Sequence, residues 1–265
     1  YDVPVDQVSV EIEDPTGNML SQTTDGTGTF DFMLPSGNNY SLTPEKDINY
    51  LEGVTTFDLV MIAQHILGVT PFDSPYKMIA ADANHDEKIS TFDILELRKL
   101  ILHLVDDLPE NTSWRFVDQA YVFPNPDDPF APPFPEVIDL NDLQIDAMNN
   151  DFVAVKIGDV NESIQSLTSA DVDVRDMNES IYLQTREQEL FKGEEVAVTF
   201  EAENFEAVKG YQFTFEFDAE VLSLRDIEPA LEAGMSDANF GLRFVDEGVI
   251  TMSWNTSEPL RDGAS

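Results

Sequence analysis

The sequence predicts a mostly β protein with a small α module set between two β regions. Near one end Val8, Val10 and Ile12 alternate with Ser9 and Glu11. Near the other, Tyr211, Phe213, Phe215 and Phe217 alternate with Gln212, Thr214 and Glu216. Both have the period of a half-buried strand. Between them a unit repeats at an offset of 35 residues: Val54-Thr55-Thr56-Phe57-Asp58-Leu59 returns as Ile89-Ser90-Thr91-Phe92-Asp93-Ile94. Each copy runs into an apolar pattern of helical period, and a duplicated unit of this size buries its apolar face against its twin.

The 265 residues carry 52 carboxylates against 14 Lys plus Arg, a formal net charge of −38. No basic face exists to displace counterions, so nucleic acid and anionic lipid are excluded as expected partners. With 42% hydrophobic and 10% aromatic residues the chain is too apolar for a disordered acidic tail. Most of the carboxylates are expected only to solvate an acidic surface. Without cysteine there is neither a disulfide nor a thiolate metal site. No run reaches the roughly 18 apolar residues of a membrane span, so membrane insertion is not expected. Tyr1-Asp2-Val3-Pro4 and Arg261-Asp262-Gly263-Ala264-Ser265 read as cut ends, and the expectation is a fragment of a longer secreted polypeptide.

Four regions follow along the chain. Residues 1–46 read as β, with turn signals at Asp14-Pro15-Thr16-Gly17-Asn18, Asp25-Gly26-Thr27-Gly28 and Pro35-Ser36-Gly37-Asn38. Further strands are expected at Leu20–Thr24, Thr29–Met33 and Tyr40–Thr43. Residues 47–110 carry the repeat. Phe57, Val60, Met61, Ile62, Ile66 and Leu67 make one apolar helix face, and Phe92, Leu95, Leu97, Leu100, Ile101 and Leu104 make the other. Residues 111–169 are rich in proline, but Trp114, Phe116, Tyr121 and Phe123 are too many aromatics for a free linker. They predict an extension packed back on the helical pair, closing with Phe152–Gly158. Residues 170–265 return to β, with strands at Tyr211–Phe217, Val221–Leu224, Asn239–Val245 and Val249–Trp254 and a turn at Asp246-Glu247-Gly248.

The repeat is studded with hard oxygen ligands. An EF-type calcium loop takes side-chain oxygens at positions 1, 3, 5 and 12, a carbonyl at 7 and often a water-bridged ligand at 9. The second unit supplies Asp82, Asn84, Asp86, the Lys88 carbonyl, Ser90 and Asp93 at those positions. Position 6, where glycine is expected, is Glu87. The alternative for this stretch is an Asx-rich turn between helices. The first unit places Asp47, Asn49, Thr55 and Asp58 at positions 1, 3, 9 and 12, but Leu51 at position 5 donates nothing. It is either a calcium loop or a decayed loop kept for packing. Asp159-Val160-Asn161 repeats the Asp-x-Asn signature, and the first unit could borrow the lost ligand there.

These features resemble known families. The paired Asp-x-Asn loops ending in Asp, each followed by an apolar helix, look like a bacterial type I dockerin, an EF-hand-like helical pair. The resemblance lies in Asp82-Ala83-Asn84-His85-Asp86, Ile89–Ile94 and, with the departures above, Asp47–Leu59. Thr24-Asp25-Gly26-Thr27-Gly28-Thr29-Phe30 and Gly37-Asn38-Asn39-Tyr40 resemble the carboxypeptidase-regulatory-like and collagen-adhesin-B-like Ig-like β-sandwiches. Val196-Ala197-Val198, Ala202-Glu203-Asn204-Phe205, Gly210–Asp218, Val221-Leu222 and Glu247–Ile250 are similar to a cohesin, a β-sandwich or jelly roll that binds dockerins. For both sandwiches the resemblance implies further strands, expected before Tyr1 and after Ser265.

His65 and His103 lie in or at the end of apolar helices and His85 inside the second loop; none reads as a catalytic base. No nucleophile-elbow, phosphate-loop, dinucleotide or His-Glu-x-x-His motif is present, and no enzyme activity is expected. The expected function is that of a secreted, extracellular or cell-surface structural or adhesive protein stabilised by Ca2+. It could self-assemble into filaments head to tail, by strand donation or by dockerin–cohesin-like contacts. The alternative is an adaptor that docks a secreted enzyme or carbohydrate-binding protein onto a scaffold through a cohesin-type partner. Carbohydrate stays open as a ligand class.

Overall fold

The computed structural model describes residues 3–166, 182–203, 208–229 and 234–256. The dipeptide Asn204-Phe205 and the chain's last residues lie outside the described residues.

In the first region β1 (Ser9–Glu13), β2 (Met19–Thr23) and β3 (Tyr40–Glu45) join β5 (Ile138–Leu140) in an antiparallel sheet of order β2-β1-β3-β5. Val10, Ile12, Tyr40 and Leu42 point into its core. The β1–β2 turn is closed by Asp14, whose Oδ1 accepts from the Thr16 and Asn18 amides at 2.8 and 3.0 Å. Residues 29–33, expected as a strand, form no ladder. Phe30, Phe32 and Leu34 still pack on the core. Alternation reported which side chains are buried, while the sheet position beside β3 is filled from the proline-rich stretch by β5.

That stretch also forms a ribbon of β4 (Trp114–Asp118) and β6 (Phe152–Lys156). Side chains alternate across a strand, so the ribbon serves two cores. Trp114, Phe116, Phe152 and Ala154 pack on the first sheet, while Val117, Val153 and Val155 face the helices. Phe123, Phe130 and Phe134 also enter the helical core.

The helical module is α1 (Thr56–Ile66), α2 (Pro75–Ala81) and α3 (Thr91–Ile101). α1 and α3 open on Thr55 and Ser90, each in a capping box with the Asp three residues on. α2 was not anticipated, although Ser74 at its N-cap and Pro75 in its first turn are a start signal. Leu59, Ile62, Leu97 and Ile101 fill the core between the helices. Phe57 and Phe92, expected on the apolar faces, are 55% and 65% exposed instead. At 100° per residue they stand opposite the arc that Leu59, Ile62 and Ile66, or Ile94, Leu97 and Ile101, define. Leu67, Leu95 and Leu104 are also exposed.

In the last region β9 (Gly210–Glu216), β10 (Phe240–Gly241) and β11 (Val249–Asn255) form a sheet of order β10-β11-β9. β7 (Tyr182–Gln184) and β8 (Glu201–Glu203) pair separately. Val221–Leu224 is not a strand: the amides of Val221 and Leu222 turn back onto the Asp218 carbonyl at 3.1 and 2.9 Å. Asn239–Val245 shortens to the two residues of β10: Asn239 is spent as a cap, accepting from Ser236 N and donating to Ser253 O, and after Gly241 the chain turns, with Val245 N donating to Leu242 O at 3.2 Å.

This sheet sits on α1 and α3 through its polar face. Gln212 Oε1 accepts from Thr56 N and Oγ1 at 2.7 and 3.0 Å, and the Thr56 and Ser253 hydroxyls share a bond of 2.7 Å. Thr251 Oγ1 donates to Leu102 O at 2.8 Å, and Arg98 donates to Asn255. Arg243 forks onto Asp106 at 2.7 and 2.8 Å. Gly241 lets the strand close on the end of α3, since a Cβ there would collide with Leu102 O and Thr251 Oγ1. Gly241→Val is therefore expected to lift this sheet from the helices while leaving their core folded. Hydrogen exchange would show faster exchange at residues 249–255 with α1 and α3 still protected.

Candidate metal centre

The second loop folds as a tight cradle of oxygens. Asp82 and Asp93 are buried, at 1% and 0% exposure. Asp82 Oδ1 accepts from Asp86 N at 3.0 Å and Oδ2 from Glu87 N at 3.1 Å; Asn84 Oδ1 accepts from Asp86 N at 3.1 Å. Asp93 Oδ1 closes the loop by accepting from Ala83 N and Asn84 N at 2.9 and 3.2 Å, and its Oδ2 accepts from Ser90 N at 2.8 Å. Asp86 Oδ1 accepts from Lys88 N at 3.0 Å. Glu87 adopts φ +63°, the left-handed conformation for which glycine is favoured, and His85 adopts φ +58°. The loop thus takes its turn without the glycine.

Carboxylate electrostatics follow from this burial. Desolvation, with the charge of Asp93 second, pushes the Asp82 carboxyl up to about 6. Burial raises Asp93 too, with Asp86 adding to it. Among the described residues no three acidic or imidazole side chains form a metal cluster. The buried charge is carried by the Asp82–Asp93 pair, Asp86 adds a third, exposed carboxylate, and the remaining donors are amide, hydroxyl and carbonyl oxygens. Such an all-oxygen set fits a hard divalent cation and not a soft one. Asp82, Asn84, Asp86, the Lys88 carbonyl, Ser90 and Asp93 would hold it, and the ion would neutralise two carboxylates that otherwise repel.

The first loop is assembled differently. Thr55 N and Oγ1 both donate to Asp58 Oδ2 at 2.8 Å, so those two expected residues meet. Asp47 and Asn49 lie exposed on the preceding turn. Asp47 Oδ1 accepts from Ser113 N at 2.8 Å, which anchors the turn to the start of β4. Leu51, at the position that lost its ligand, packs against the helical core. What stands beside Asp58 is the third Asp-x-Asn: Asn161 N donates to Asp58 Oδ1 at 3.2 Å. Desolvation, then the Asp159 charge, pushes Asp58 up to about 7. Ser163 and the Gly53 carbonyl, which sequence reasoning missed, are joined by a hydrogen bond of 3.0 Å in the same place. Their signal was oxygen donors at alternate positions, 159, 161 and 163.

Residues 45–102 match the family model of the dockerin type I domain. Dockerin type I domains bind calcium and bind cohesins, and the proteins that carry them are typically extracellular or on the cell surface. The dockerin match covers both capped helices and the whole second loop, and it ends well before Asp159. No curated protein matches the chain, and no solved structure matches it. Among the described residues no helix is long and apolar enough to cross a membrane.

Proposed function

We propose that the chain is a non-catalytic, calcium-stabilised docking segment of an extracellular protein, and that its dockerin module presents one face to a cohesin-type partner. The observation that carries this is an asymmetry between twin faces. The repeat relates Thr56 and Val60 of α1 to Thr91 and Leu95 of α3. Thr56 and Val60 are buried under the chain's own β9–β11 sheet, at 2% and 3% exposure. On the twin face Thr91, Leu95 and Leu67 are exposed, and Phe92, whose equivalent Phe57 is exposed too, stands beside them. Leu102, the equivalent of Leu67, is buried where the sheet meets α3. One face is thus seated in cis on a polar, hydrogen-bonded surface of the kind that joins separable partners. The other offers a small apolar patch beside a calcium loop.

The test is capture of type I cohesin domains in millimolar calcium. Phe92→Ala is expected to weaken capture by at least about tenfold, as a central aromatic anchor does, with no change in melting temperature because the ring is exposed. Undiminished binding by that variant would remove the assigned face. Head-to-tail assembly of copies is less well supported, since the sheet and helix faces that would join two copies meet within one chain. Light scattering is expected to give a monomer with calcium and after chelation; large assemblies that fall apart without calcium would restore the filament reading.

A further inference from the structure

We propose that this chain builds a second calcium site from two separated segments, Asp159, Asn161 and Ser163 supplying positions 1, 3 and 5 and the Gly53 carbonyl, Thr55 and Asp58 supplying positions 7, 9 and 12. The proposal rests on the calcium reading of the module. It assigns the first site to residues other than Asp47 and Asn49.

The donor set at the first loop reproduces that of the second in the bonds made by its positions 1, 3 and 12 to positions 3, 5 and 6. Asp159 Oδ1 accepts from Ser163 N at 2.9 Å and Oδ2 from Ile164 N at 2.9 Å, four and five residues on, as Asp82 does from Asp86 and Glu87. Asn161 Oδ1 accepts from Ser163 N at 2.8 Å, as Asn84 does from Asp86 N. Asp58 closes on Asn161 N at 3.2 Å, as Asp93 closes on Asn84 N at 3.2 Å. Glu162 has φ +59° where His85 has +58°. The chain break falls between positions 5 and 7, and the Ser163 Oγ–Gly53 O bond bridges it.

Gly53, the equivalent of Lys88 by the repeat, shows that the two segments are fitted to one another. A Cβ there would stand 2.8 Å from Asp159 Oδ2, so only glycine lets its carbonyl approach that carboxylate. Asp58 and Asp159 are 0% and 3% exposed. Buried carboxylates of this kind need a cation or a proton. The nearby Lys156 ammonium hydrogen-bonds the carbonyls of Tyr50 and Ile157 at 2.7 and 3.1 Å and acts on Asp159 and Asp58 only through space, which leaves their oxygens open to a cation. The six donors are all hard oxygens, which fits calcium. Asp47, relieved of ligation, is occupied with Ser113.

Calcium-binding stoichiometry of the full chain, by titration calorimetry, tests the assignment. The wild type is expected to bind two ions. Asp159→Asn keeps the shape and the accepting oxygen but removes a charge, and should weaken one site at least about tenfold, since affinity follows ligand charge. The other site, intact in the same titration, reports that the variant is folded. Asp47→Asn combined with Asn49→Ala should leave both sites unchanged. Two unperturbed sites in Asp159→Asn, or one lost in the Asp47/Asn49 variant, overturns the split site. A wild type binding one ion that disappears with Asp82→Asn also overturns it while sparing the second loop. A wild type that binds none sinks the calcium reading itself.

Discussion

Chelating calcium is expected to lower the melting temperature, and to do so much more at pH 8 than at pH 5. The folded carboxyls of Asp82 and Asp58 lie at about 6 and about 7, raised first by desolvation and then by a neighbouring carboxylate. For an acid whose folded value exceeds its unfolded one, the favourable contribution is complete below the unfolded value near 4. It is lost as pH rises through the folded value. The calcium-free protein should therefore weaken between about pH 4 and 7 and be least stable above that window. Calcium binds the ionised form and competes with the proton, so its contribution grows over the same window. With calcium about 100-fold above its dissociation constant, each site adds about 2.7 kcal/mol. Two sites correspond to a shift of roughly 10–20 °C at the size of this chain. Melting curves at pH 5 and 8, with and without chelator, check this. Equal shifts at both values would show that these carboxylates are not what the ion neutralises.

The largest single-residue effect is expected from Gly158→Ala, at roughly 2–5 kcal/mol. Gly158 has φ +89°, where an L side chain is strained by about 1–2 kcal/mol. Its missing Cβ would lie 2.7 Å from Leu97 Cδ2 and 2.8 Å from Val54 Cγ2, both in the helical core. Overpacking there adds about 1–3 kcal/mol. The Gly158 amide also donates to Ala80 O at 2.8 Å, so backbone relaxation would disturb α2 and the adjoining Asp159. Gly17→Ala separates the two causes. Gly17 has φ +82°, but its Cβ would meet nothing closer than Glu13 Oε1 at 4.0 Å. That variant should lose only the conformational share. Urea midpoints at constant slope compare the two; equal losses would mean that packing against Leu97 contributes nothing.

The second loop was legible because its oxygen donors are contiguous. Asp82 through Asp93 satisfy one another over twelve residues, and local spacing is enough to write them down. The same holds for the two capped helices, whose Thr55–Asp58 and Ser90–Asp93 boxes are four-residue patterns. Which face of a helix is buried was less legible. Phe57 and Phe92 are apolar, but the angle to Leu59 and Leu97 decides, and that angle turns them outward. The strands expected at 29–33 and 221–224 did not form, and the one at 239–245 shortened to two residues, for a related reason. A ladder needs a partner edge, and alternation says nothing about where that edge comes from.

By itself the sequence determined a β protein with a duplicated, capped, oxygen-rich helical pair, since each of those traits is a short-range pattern of periodicity, caps and ligand spacing. Only the tertiary structure decided that β5 completes the first sheet from across the chain and that β9–β11 covers one of two equivalent helix faces. Only it brought Asp159, Asn161 and Ser163 to Asp58, some hundred residues away. β6 carries that segment there by pairing with β4 and burying Val153 and Val155 against the helices. The packing of that strand, and not the spacing of the ligands, sets which carboxylates face each other.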